Sequence, residues 1–187
     1  MVDKNPKPTA RDRILLTAHD LFYRDGIRAT GIDRIIKEAG VTKVTFYRHY
    51  PSKNELILAY LEYRHGYWMA WFEAAVQRHA ENPSRTPVSL IVSVLREWFE
   101  SQAFRGCAFI NTTAEFDGAI AGVGDTIRRH KAGMNEALRK LFKDTRLEGR
   151  EVAVGLAVDG AIVRTQIDGV PDAALQGLTE ILTVLQK

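Results

Sequence analysis

The chain has 187 residues, 45% hydrophobic and 26% charged, which suits one or two folded domains and excludes global disorder. Its one cysteine, Cys107, excludes an internal disulfide framework and a cysteine-based zinc site. The net charge of +3 is unevenly placed: residues 1–53 carry eleven Lys/Arg against six Asp/Glu, a net +5, and residues 54–187 carry −2. That asymmetry points to a nucleic-acid-binding head on a larger, near-neutral body, divided at residues 1–53 and 54–187. No membrane span or signal peptide is expected, because no apolar run reaches about eighteen residues and the N-terminus has no apolar core. A single thiol fits a reducing, cytoplasmic setting.

Helical periodicity runs through nearly the whole chain, so the expected fold is all-α, with about nine helices. The first covers residues 10–24, capped by Thr9 with Asp12 as its reciprocal partner, and Gly26 ends it in a left-handed C-cap. A short helix over 31–39 follows, with Thr30 as N-cap and Ile32, Ile35, Ile36 and Ala39 inside. Gly40 makes the turn into a third helix over 43–50, capped by Thr42 and stopped by Pro51. Ser52 and Glu55 form a second capping box and open a long helix to about residue 80. Pro83 and Pro87 mark a linker. Further helices are expected over 88–104, 107–116, 123–145, 150–167 and 172–185, with a break at Asp117-Gly118.

Two short helices joined through Gly40 have the proportions of a helix-turn-helix. In Thr42-Lys-Val-Thr-Phe-Tyr-Arg-His-Tyr50, Phe46 and Tyr50 stand at i and i+4 and anchor the helix on the core. Lys43, Thr45, Tyr47 and His49 lie on other faces and reach toward the major groove. Thr30, Thr42 and Lys53 sit at helix N-termini, whose amides suit phosphate, and Arg28 is a further phosphate candidate. Lys4 and Lys7 supply a basic arm.

The stretch Gly26-Ile-Arg-Ala-Thr-Gly-Ile-Asp-Arg-Ile-Ile-Lys-Glu-Ala-Gly-Val-Thr42, continued through Phe46-Tyr-Arg-His-Tyr50 to Lys53 and Leu56, resembles the N-terminal signature of the TetR/AcrR family of transcriptional regulators. The resemblance implies a three-helix DNA-binding head with the third helix as reader. It also implies a homodimer on a near-palindromic operator and a small-molecule site in a helical-bundle body. Lys43, Thr45, Tyr47, His49 and Lys53 match positions that touch DNA in that family. Two residues depart from its pattern: Ile36 stands where a small residue is usual, and Val44 where Gly, Ala or Pro is common. Val44 offers a methyl contact to thymine instead.

In the body, aromatic residues crowd the long helix and the segment 98–116. Core packing accounts for most of them; an apolar cavity with a few polar groups is the functional alternative. Tyr67, Trp71, Trp98, Asn111 and Glu115 are the candidate ligand residues. The segment 152–163 is apolar almost all round, so it is either a central core helix or, with Leu175, Leu178, Ile181, Leu182 and Leu185, a subunit interface. Asp159 and Arg164 are placed there to pair with each other, across a dimer, or at its rim.

Enzyme readings find little support. Cys107 has no recognisable base, Glu62-Tyr-Arg-His65 lacks the second copy that a di-iron bundle needs, and no phosphate-binding glycine loop occurs. No cofactor is implied. The expected function is a ligand-responsive, dimeric DNA-binding regulator, a repressor released by a small molecule. The alternative is a helical binder or enzyme whose head serves protein contacts.

Overall fold

Thr9 starts the first helix, α1 (Ala10–Asp25), as its sequence predicts. Its hydroxyl accepts the Asp12 amide at 3.2 Å and its own amide donates to the Asp12 carboxylate at 3.0 Å. These bonds satisfy amides that the first turn leaves open, and they hold the Asp12 carboxyl below the usual carboxylate range. Gly26 ends α1 at φ 90° and ψ 151°, a positive φ but an extended rather than left-handed helical pair. The computed structural model describes residues 7–82, 84–116 and 119–187. The expected contacts of Lys4 and the break at Asp117-Gly118 lie outside the described residues.

Among the described residues the chain forms nine helices and no strand. The next two are α2 (Ile32–Glu38) and α3 (Lys43–His49). Gly31, not Thr30, is the N-cap of α2. The Thr30 hydroxyl is fully buried and donates to the Gly26 carbonyl at 2.7 Å, so it closes the α1–α2 loop instead of opening the helix. Gly40 takes φ 61° between α2 and α3, the positive φ that the turn requires. Thr42 caps α3 and Ser52 caps α4 (Lys53–Ala80), each accepting the amide three residues on. Only the Ser52 half of the expected second box forms.

The 28 residues of α4 run from head to body. Leu56, Ile57 and Tyr60 close the head core with Ile14, Ala18, Phe22, Ile35 and Phe46, and Trp68, Phe72 and Ala75 belong to the body. The body adds α5 (Pro87–Phe99), α6 (Ala108–Phe116), α7 (Val123–Phe142), α8 (Glu151–Asp168) and α9 (Asp172–Leu185). Two ends come earlier than the sequence predicts. At α5 the Ser101 amide turns to the Trp98 carbonyl at 3.1 Å, and Phe104 folds back onto the rings of Trp98 and Phe99. At α7, Asp144 reverses the chain at φ 59° and donates its amide to Glu148.

The last two helices are buried on one side only. Val154, Val158 and Ile162 of α8 and Leu175, Leu178 and Leu182 of α9 face the core. Val152, Leu156, Val163, Ile167, Ile181 and Val184 stand exposed. Asp159 pairs with Lys131 at 2.6 Å and Arg164 with Asp168 at 2.7 Å, so these two charges are satisfied within the chain and not by each other. No helix is long and apolar enough to cross a membrane among the described residues.

Candidate nucleic-acid interface and effector cavity

Seven residues are too few to hold a helix by themselves, so α3 depends on what it docks against. Phe46 is fully buried and Tyr50 is 2% exposed, which fixes the helix on the head core as their spacing predicts. The opposite side carries Lys43, Val44, Tyr47 and Arg48 in the open, with Thr45 and His49 half-buried. Tyr47 packs edge-on against Phe46 while leaving 39% of its surface exposed. Among the described residues neither Lys43 nor Arg48 has a carboxylate within 4 Å, whereas Arg34 is held by Asp25 and Glu38. Two open cations, Lys43 and Arg48, therefore stand on the face that α3 presents.

Behind the head, α6 forms a latch. The Glu115 carboxylate accepts the Ile27 amide at 3.2 Å and the Arg28 amide at 2.7 Å. Lys53 donates to the Ile27 carbonyl at 2.6 Å, and burial pushes its ammonium below the ordinary lysine range. Arg28 lies over the Phe116 ring. Just before α6, the Tyr23 hydroxyl donates to the Gly106 carbonyl at 2.9 Å and accepts the Arg105 amide at 3.1 Å. Gly106 has φ +79°, and a Cβ there would meet the end of the Gln166 side chain of α8.

A cavity of about 240 Å³ opens between α4, α5, α6, α7 and α8, walled by Trp68, Trp98, Phe109, Leu138, Val158 and Ile162. His130 forms part of the wall, stacked on Phe109 with ring centroids 3.6 Å apart and hydrogen-bonded through Nδ1 to His65 Nδ1 at 3.0 Å. Burial pushes the His130 imidazole down to about 3, with Lys131, His65 and Arg64 adding their charges. A second cavity of about 260 Å³ adjoins it, sharing Arg64, Trp68 and Trp98. Among the described residues no three His, Cys, Asp or Glu side chains are grouped to hold a metal ion.

A family model described as "Bacterial regulatory proteins, tetR family" matches residues 14–60, which span α1 through the first turns of α4. A crystal structure of SCO4454, a TetR-family transcriptional regulator from Streptomyces coelicolor, is 32% identical, covers 95% of this chain and 90% of that one, and superposes with a TM-score of 0.77. The chain belongs to the TetR family. This is a family of transcriptional regulators, not enzymes, and DNA binding through the head follows from membership. The HTH-type transcriptional activator FasR of Mycolicibacterium smegmatis is 40% identical over 57 residues, 30% of this chain and 26% of that protein. EthR of Mycobacterium tuberculosis is 31% identical over 86 residues, 44% of this chain and 38% of that protein. The chain thus spans well under half the length of these two curated relatives.

In this TetR-family regulator the sequence-predicted residues fall at several places. Thr30 is excluded from side-chain contact with DNA by its burial. The Thr42 hydroxyl caps Thr45, and Lys53 and Arg28 face both the head surface and the latch. Of the five expected ligand residues, Trp98 lines both of these cavities, and Tyr67 and Trp71 line only the second. Asn111 and Glu115 stand at the head–body junction instead, where Asn111 donates to the Arg105 carbonyl. Their polar groups in an apolar run hold the latch.

Sequence reasoning missed Arg64 and His130. Both occupy apolar-stripe positions, Arg64 between Tyr60 and Trp68 and His130 between Ile127 and Met134, and a polar residue in such a stripe was the available signal. His130 also sets a pH response. Unfolded histidine titrates near 6.5, so between there and about 3 the unfolded chain takes up a proton that the folded chain refuses. Stability is full above pH 6.5 and falls as pH drops, by up to about 1.4 kcal/mol per unit. Thermal melts of His130→Phe are expected to show a flatter acid limb than the parent; parallel limbs refute the assignment. His19, also lowered by burial, leaves a residual slope of the same sign in both proteins.

Proposed function

We propose that this regulator is a homodimeric repressor, released from its operator when a small molecule enters the body cavity. Residues 1–53 read DNA, and residues 54–187 bind the effector and the second subunit. Arg28, Thr42, Lys43, Val44, Thr45, Tyr47, His49 and Lys53 are the DNA-facing set. The observation that carries the reading is the double role of α6: Phe109 walls the cavity while Glu115, two turns on, holds the α1–α2 loop. Any ligand that moves α6 moves the support of the reading helix. The effector therefore binds the DNA-incompetent arrangement more tightly, by the free energy that couples the two sites.

The exposed apolar stripe of α8 and α9 supports the dimer. Gly160 has nothing within 4 Å of where a Cβ would lie, leaving room for close approach of a second helix. A protein of this kind works in the cytoplasm, where the DNA is. Fluorescence anisotropy with duplex from upstream of its own coding region tests the reading. Specific binding that weakens steeply with salt is expected, and binding to no sequence overturns it. Ile167→Glu combined with Val184→Glu is expected to yield a folded monomer in sedimentation and to lose the operator; a dimer that survives the pair refutes the interface. A reporter gene whose expression falls when the regulator is deleted identifies an activator and overturns repression.

A further inference from the structure

Arg64 is 6% exposed, and its guanidinium faces the Tyr23 and Tyr67 rings. Among the described residues no carboxylate lies within 4 Å of it. Its Nη1 donates to His19 Nε2 at 3.3 Å, and its guanidinium lies 3.8 Å from the centre of the Tyr23 ring. His19 uses its other nitrogen on Asp20 at 2.9 Å, and burial lowers its proton affinity, so the partner of Arg64 is a neutral imidazole. A guanidinium has five N–H donors, and four remain without a hydrogen bond from the described residues. One turn along α4, the Trp68 indole N–H is buried and has no partner among the described residues. Arg64 and Trp68 line both of the adjoining cavities.

The remaining charges around these cavities are paired. Asp159 is bound to Lys131 at 2.6 Å, and Glu97 to Arg78 and His79. Lys131 and Asp159 cancel, so the first cavity keeps the single charge of Arg64. Buried charges and donors left open in this way are normally satisfied, which makes a ligand the missing partner. We infer that the effector is an apolar monocarboxylic acid whose carboxylate is received by Arg64 and the Trp68 N–H, with its hydrocarbon part among Phe109, Leu138, Val158 and Ile162. The class follows from the donors: one net positive charge takes a monoanion, and the planar N–H fork of a guanidinium fits two coplanar oxygens.

This inference rests on the cavity being the effector site, and it gives that site a link to the head. The guanidinium that takes the acid is the one that touches His19 and Tyr23 of α1. A carboxylate that draws Arg64 toward the cavity weakens its hold on α1, and Tyr23 in turn holds Gly106.

Isothermal titration of the full chain with matched acid and amide pairs tests it: octanoate and octanamide for an aliphatic source, 2-naphthoate and 2-naphthamide for an aromatic one, 3-phenylpropionate and its amide for a mixed one. At least one acid is expected to bind about tenfold or more tightly than its amide. Arg64→Met, which keeps the apolar bulk, is expected to bring the pair within about twofold. Trp68→Phe keeps the ring stack on Phe72 and is expected to weaken the acid more than the amide, so the inference stays testable if Arg64→Met fails to fold. If no acid outbinds its amide, or if the preference survives in a folded Arg64→Met, the acid assignment is wrong while amides that bind leave the cavity standing. Acids that bind through Arg64 yet leave operator affinity unchanged overturn the effector reading and leave the acid site standing.

Discussion

Alanine at Phe46 is expected to abolish operator binding by destabilising the head, whereas alanine at its neighbour Tyr47 costs operator affinity alone. Phe46 has no exposed surface and packs on Tyr47 and Tyr50. Truncating a buried phenylalanine costs about 3–5 kcal/mol, a large part of the stability of a small domain. The loss falls on a helix of seven residues that has no independent stability. Tyr47 is 39% exposed on the open face, so its removal leaves the core intact. One lost base or phosphate contact is worth about 1–3 kcal/mol, or roughly five- to 150-fold in affinity. Thermal denaturation read beside operator anisotropy separates the two effects. A Tyr47→Ala protein with parental affinity places the reading face elsewhere, and a Phe46→Ala protein with parental stability contradicts the docking of α3.

The second large effect is expected at Glu115. Glu115→Gln keeps the shape of the side chain but removes the charge that two backbone amides share, Ile27 at 3.2 Å and Arg28 at 2.7 Å. Hydrogen bonds to an ionised acceptor are worth about 1.5–3 kcal/mol each, comparable with a typical coupling free energy of about 1–3 kcal/mol between sites. The variant is therefore expected to bind cavity ligands normally while its operator affinity no longer responds to them. Hydrogen exchange at the Ile27 and Arg28 amides should accelerate in step. Full ligand response with unchanged exchange would sink the latch as the route between cavity and head.

The parts of the fold that were legible in the sequence are those decided within a few residues. Thr9 with Asp12, Thr42, Ser52 and Gly40 act on their own turns, and each acts where its spacing places it. Thr30 failed the same logic because the Gly26 carbonyl, presented by the α1–α2 loop, captures its hydroxyl. The end of α5 was misplaced because Phe104 is held by aromatic packing across a turn, and its apolar character reads as one more helical position. The cavity was the least legible feature. Its wall is assembled from five helices spread along the chain, so the spacing of Asn111 and Glu115 in an apolar run could not reveal that they face the head.

Gly106 joins α1 to α8 across one peptide. Tyr23 holds its carbonyl, and Gln166 occupies the space of a side chain while also binding the Arg105 carbonyl at 3.0 Å. The positive φ disfavours any other residue there, and a Cβ would also require the Gln166 amide to shift. The apolar wall of the cavity carries no such restriction, since Leu138, Val158 and Ile162 tolerate exchange for other apolar side chains of similar volume. If the cavity is the effector site proposed above, its lining can change specificity while the Tyr23–Gly106–Gln166 connection between α1 and α8 is kept.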